Sequence, residues 1–201
     1  MKFSRRFIVP PHENFRGLSY GCWASIWWNW LFSDQVQCGP VYFLRGNTDK
    51  EHEIIRIGRN GLTLSSGTAI FFPIICTITT QLMFPHAKTQ MIRRMESTER
   101  QKNPLVLKAT INGISIPNLE NYYAESPEFI LEIPKSSKLR ASFDIPVHTG
   151  SAPAVAAGYW LLLRPLPSGT YRIDFKGKHK DEFITHGEYT VKVLQNTKNF
   201  G

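Results

Sequence analysis

Apolar positions recur along this chain in two rhythms. Trp23, Trp27, Trp30 and Leu31 stand at i, i+4, i+7 and i+8, the spacing of one helix face. Ser19 or Ser25 is a candidate N-cap for that helix, and Ser33-Asp34 a place for it to stop. Later segments alternate with period two: Thr170-Tyr171-Arg172-Ile173-Asp174-Phe175 and Tyr189-Thr190-Val191-Lys192-Val193-Leu194 read as half-buried strands. Between them, Thr68 to Ile75 is apolar on both alternations, as in a strand covered on both faces. Pro73 inside it points to an edge or a bulge.

Four of the five tryptophans fall within the eight residues 23–30. An indole buries a large area and its N–H needs a partner once buried. A helix so rich in indole must lie against something broad, and the doubly apolar strand with the strand holding Trp160 offers that surface. Trp23, Trp27 and Trp30 are then the cover of a sheet. Trp28 turns away from that face and is the indole expected to remain outside.

The remaining segments fill in a β-rich order. Residues 1–18 read as an extended arm, because Pro10-Pro11 imposes polyproline geometry. Strands are expected at 41–44, 54–57, 62–64, 129–133 and 158–163. Gly58-Arg59-Asn60-Gly61 reads as a turn, and Asn112-Gly113 as the tip of a hairpin joining 105–111 to 114–116. Residues 77–103 form an excursion between strands, with one helix at about 88–102 in a stretch free of Gly and Pro. Residues 135–153 read as irregular, and Gly177 to Asp181 as a basic loop.

Thirteen prolines and fourteen glycines spread over 201 residues favour many short elements. The expected architecture is mainly β: one domain over 1–201, a single β-sandwich of jelly-roll or immunoglobulin-like character. The aromatic helix packs on it, with a second helix near 88–102. No apolar run reaches the roughly 18 residues of a membrane-spanning helix, and no signal-peptide pattern opens the chain. A cytoplasmic location, or export without a cleaved signal, is the expectation.

The net charge of +8 favours an acidic partner, although the cations are dispersed in small groups. The natural basic patch is Lys176, Lys178, His179 and Lys180, beside Phe175 and Tyr171. Tyr122 and Tyr123 add a polar aromatic turn. With Trp28, these are the candidate binding residues, for a protein or glycan ligand or an anionic partner.

Catalytic and metal patterns are weak. There is no G-x-S-x-G, no H-E-x-x-H, no C-x-x-C and no Gly-rich phosphate loop. Cys22 with His12 could form a thiol–imidazole pair at a helix N-terminus. Glu51-His52-Glu53 and His179-Lys180-Asp181-Glu182 each hold possible metal ligands. Glu120, Glu125, Glu128 and Glu132 are the carboxylates from which a glycosidase pair would come. Cys22 could bridge Cys38 in an oxidising compartment, and three buried thiols are the simpler reading. No cofactor, metal site or catalytic residue is assigned.

Several stretches taken together resemble a known pattern: Ser19 through Trp30, Cys38-Gly39-Pro40-Val41-Tyr42-Phe43-Leu44, Ser66 to Ile75, and Gly158-Tyr159-Trp160 to Phe175. Their order is similar to that of an uncharacterised microbial family, often exported. That family carries a WWxW segment, a GPVWFL-like strand, an FFPI-like strand and a closing GYWLLLKPLPPG-like hairpin. Its members usually have an acidic residue where this chain has Cys22, and more cysteines near the second strand. The resemblance therefore implies neither an acid catalyst there nor a disulfide, and it brings no activity with it. The functional expectation is a non-enzymatic β-sandwich binding domain that uses loops or exposed aromatics. The alternatives are a hydrolase acting on a glycan or other polymer and, more weakly, a basic surface for nucleic acid or anionic lipid.

Overall fold

The computed structural model describes residues 4–33, 36–37, 39–46, 55–145, 150–180 and 183–195, with strand geometry but no side-chain positions for 55–60. In chain order the elements are α1 (Tyr20–Phe32), β1 (Val41–Phe43), β2 (Ile55–Ser65), β3 (Ala69–Thr80), α2 (Gln90–Gln101), β4 (Val106–Ile111), β5 (Ile114–Ser115), β6 (Tyr123–Glu125), β7 (Phe129–Glu132), β8 (Ser151–Leu163), β9 (Gly169–Lys178) and β10 (Ile184–Leu194). Short 3₁₀ turns cover Arg5–Phe7, Leu119–Tyr122 and Lys138–Phe143.

The strands form two five-stranded sheets. Sheet I runs β1-β3-β8-β6, with β7 also paired to β8; sheet II runs β2-β10-β9-β4-β5. Each is antiparallel except for one parallel pairing, β1 on β3 and β2 on β10. The sandwich core between them is built by alternate residues, among them Phe72, Ile75 and Leu161 from sheet I and Ile173, Phe175 and Val191 from sheet II. The other face of sheet I carries Phe71, Ile78, Ala156, Trp160 and Leu162, and α1 covers it. This is a mainly β sandwich with the aromatic helix packed on it.

Ser19 caps α1 by accepting from the Cys22 N–H at 3.3 Å, and Ser33 ends the helix. Trp160 stacks on Phe71 with centroids 5.2 Å apart, and Trp27 meets Trp160 edge-on at 5.4 Å. The expectation for Trp28 is corrected: it is only 4% exposed. The 3₁₀ turn at Lys138–Phe143 supplies the wall that periodicity could not foresee, with Phe143 edge-on to Trp28 at 6.1 Å. Trp30 is the indole left half-buried.

β3 and β8 extend beyond sheet II, and α2 covers that extension on the core side. Ser97 Oγ bonds Thr79 Oγ1 and the Val155 carbonyl, both at 2.8 Å. Two further expectations change. Gly58 to Gly61 does not separate two strands: β2 continues across it as a bulge, in which residues 58–61 oppose Thr190 alone and Gly61 takes a φ of 64°. β9 continues through Lys178, so the basic loop is shorter than expected. The N-terminal arm is joined to β8, with Val9 N–H donating to the Leu162 carbonyl at 2.9 Å. Asn112-Gly113 turns the β4–β5 hairpin as expected, with φ of 52° and 75°.

Candidate ligand cavity beside the open edge of β3

β1 pairs with β3 only from Ala69 to Phe71, while β3 continues to Thr80. The reason lies in how the chain leaves β1. The Leu44 carbonyl accepts from Trp27 Nε1 at 2.8 Å. The next residue is pinned to sheet II: Arg45 N–H donates to the Tyr189 hydroxyl at 3.2 Å, and that hydroxyl donates to the Arg45 carbonyl at 2.5 Å. The chain is drawn off the edge, and β3 goes on without a neighbour among the described residues.

Alternation shows which backbone groups this leaves open. Ala69 N–H and the Phe71 carbonyl face β1, so Pro73 falls on the same side, where its missing N–H costs nothing. A bulge between Pro73 and Ile75 then shifts the phase. Beyond it, residues 75, 77 and 79 face β8, and Cys76 and Ile78 direct N–H and C=O to the open side. Among the described residues none of those four groups has a hydrogen-bond partner, whereas the Thr80 carbonyl accepts from Met83 and Phe84. The bulge is tightly built: a Cβ on Gly177 would lie 2.6 Å from the Ile74 carbonyl oxygen.

A cavity of about 270 Å³ lies along this edge. Trp27, Trp28 and Leu31 of α1 wall one side, with Phe143. Arg100 and Gln101 of α2 and His179, Phe183 and Thr185 at the β9–β10 end wall the other, and Cys76, Thr77 and Ile78 line its floor. The surroundings are largely apolar, with polar groups gathered on the α2 side. Gln101 Oε1 holds His179 Nε2 at 2.9 Å, while the Arg100 guanidinium lies over the Phe84 ring at 4.2 Å. Burial pushes the Cys76 thiol well up, which favours its neutral form. The arrangement suits an apolar body with an anionic or hydrogen-bonding end.

Two of the sequence candidates, Trp28 and His179, meet in this cavity. His179 is 5% exposed and faces inward, so it is no part of a basic tip. Lys176 and Lys178 lie half-buried at positions of β9 opposite to its core-facing residues, and Lys180 is exposed beyond the strand. Tyr122 packs edge-on to Tyr20 at 6.3 Å, and Tyr123 donates to Glu125 at 2.9 Å. Neither tyrosine lines the cavity.

Two of the carboxylates of 120–132 are held by arginines of α2. Glu128 is bound by Arg93. Glu125 is held by Arg94 at 2.6 Å and by Tyr123 and Thr98. Burial alone would raise the Glu125 carboxyl, but those hydrogen bonds outweigh it and keep it below the usual carboxylate range. Glu120 and Glu132 are exposed. Cys22 is bonded to Ser19, with Oγ and Sγ 3.4 Å apart, and His12 is exposed. Cys38, Glu51-His52-Glu53, Asp181 and Glu182 lie outside the described residues.

One cluster absent from the sequence reading could ligate a metal. Asp174 and Glu188 stand opposite each other on β9 and β10, and His186 Nε2 lies 3.6 Å and 3.9 Å from their carboxylates. Arg172 stands 3.7 Å from Glu188, so one protein cation already faces this carboxylate pair. Among the described residues no helix is long and apolar enough to cross a membrane. No family model, curated protein or solved structure matches this chain.

Proposed function

We propose that this is a non-enzymatic binding domain, and that its ligand site is the cavity beside β3. The ligand would be an apolar group ending in a carboxylate. The observation that carries this reading is the cavity itself: aromatic walls from α1, with Arg100 at the opposite side. An aromatic wall supplies area-driven affinity, and a cation beside it selects the charge of the ligand. The neutral Cys76 thiol and the Arg-bound glutamates support binding over turnover.

The experiment is a titration with medium-chain and aromatic carboxylates against their matched alcohols, followed by tryptophan emission. Trp27 and Trp28 stand in the wall, so occupancy changes their surroundings. The carboxylates should bind about tenfold more tightly than the alcohols, the value of one charge-assisted hydrogen bond. Emission that stays flat with every compound sinks the reading.

A further inference from the structure

Sheet I treats its edges unequally. The outer edge of β1 is met by the Gln37 side chain: its Nε2 donates to the Phe43 carbonyl at 2.9 Å, and its Oε1 accepts from Phe43 N–H at 2.5 Å. The outer edge of β7 is met in the same way by Asn29. Its Nδ2 donates to the Ile130 carbonyl at 3.1 Å, and its Oδ1 accepts from Glu132 N–H at 2.8 Å. A primary amide offers the donor and acceptor of a peptide group, so each residue stands in for a neighbouring strand. Both edges are thereby closed to further pairing.

The stretch of β3 beyond β1 has no such device among the described residues. Cys76 and Ile78 present a donor and an acceptor each, at strand spacing, along the floor of a cavity. A buried polar backbone group without a partner is costly, and native structures leave few of them. A small carboxylate could fill the cavity yet would leave most of this ladder unpaired. A strand would pair with it and seat an alternate side chain against the α1 wall.

We infer that the cavity receives an extended acidic peptide, which adds to sheet I as a strand alongside Cys76 and Ile78. Arg100, whose Nε also stands 3.9 Å from Glu96, sets the preference for acid, in keeping with the chain's net charge of +8. The inference rests on the cavity being the ligand site and names its ligand class.

The test pans a phage-displayed library of random heptapeptides against the full chain. The best binder is synthesised, then N-methylated at one backbone amide at a time. Strand pairing requires alternation: a methyl on a ladder-facing amide should weaken binding about tenfold, and one on its neighbours should change it little. Exchange of the Cys76 and Ile78 amides should slow on binding. Arg100 is exposed, so Arg100→Glu should fold normally, and it should weaken an acidic binder about tenfold or more.

A peptide that binds without alternation or amide slowing overturns strand addition. So does a library without binders while simple carboxylates still bind; in both cases the cavity reading stands. An unchanged affinity in Arg100→Glu overturns the acidic preference. If neither carboxylates nor peptides bind, the cavity reading falls with the inference.

Discussion

Two helices cover sheet I, one on each face, and they are seated by opposite chemistry. α1 is buried nearly all round: Trp23, Trp27, Trp28, Leu31 and Phe32 are each under 8% exposed, and Ile26 is its one exposed residue. α2 buries Arg93, Ser97 and Gln101, at i, i+4 and i+8, while Met91 and Met95 are 69% and 58% exposed. Apolar seating draws on area and tolerates small shifts. Polar seating draws on direction, because each buried group must meet a particular partner. The difference matters because the two helices form facing walls of one cavity. α1 supplies the broad wall, and α2 places Arg100 and Gln101 at a fixed register.

The sharpest way to break this comparison is to remove area from α1. Trp27→Ala should cost about 3–5 kcal/mol by urea unfolding, as large-to-small changes at buried aromatics do. It also strips the Leu44 carbonyl of its indole donor. A loss below about 1 kcal/mol would show that α1 is not seated by its aromatic face.

The matching change in α2 should be smaller and should show coupling. Arg93 donates to Glu128 at 3.0 Å and to the Ala87 carbonyl at 2.9 Å. Its side chain is 6% exposed, whereas that of Glu128 is 31% exposed and partly screened. Arg93→Met should therefore cost about 1–3 kcal/mol, below the range for a fully buried pair. Adding Glu128→Met should recover part of that loss. Strictly additive single and double variants would mean that the pair is not what holds the helix.

The legibility of these features in the sequence follows the same divide. α1 could be read because indoles at period 3.6 and a Ser cap report an apolar seat directly. The strands could be read from alternation at Tyr171, Ile173 and Phe175. The span of α2 was visible in its freedom from Gly and Pro, but its buried face was not. Its methionines point to solvent and its polar stripe points in, so hydropathy misreports the face. Asn60-Gly61 carried strong turn chemistry, yet pairing of β2 with β10 absorbed it as an irregularity inside a strand. The cavity had a single local sign, Pro73, which marks an edge. Its walls come from α1, from β3 at 73–78, from Arg100 and Gln101, and from His179, Phe183 and Thr185, whose meeting depends on the tertiary fold. Trp28 and His179 were selected singly, for an exposed platform and a basic tip, and both proved to be cavity walls.

Tyr189 is a polar pin in the apolar core and sharpens the comparison from within sheet II. Burial raises its hydroxyl from 10.0 to about 12, with the Arg45 backbone partly offsetting the rise. The folded state thus keeps a proton that the unfolded chain releases near pH 10. This contribution is intact below pH 10 and is lost as pH rises from about 10 to about 12. Tyr189→Phe should cost about 1 kcal/mol at neutral pH, for the lost hydrogen bonds to Arg45. It should also lose less stability than the parent across that alkaline window. Parallel curves for the two proteins would mean that the hydroxyl is not a pin.

The smallest effect is the most diagnostic for α2. If its seat were apolar, Met91 and Met95 would be its largest contributors by side-chain size. Both point to solvent, so the double change Met91→Gln, Met95→Gln should move stability by no more than about 0.5 kcal/mol. Ser97→Ala removes far less volume but deprives Thr79 and the Val155 carbonyl of their shared partner, and should cost about 1–2 kcal/mol. The serine should thus outweigh the two methionines together. The reverse order in urea midpoints would put the methionines in contact with the sheet and would move Arg100 off the cavity wall.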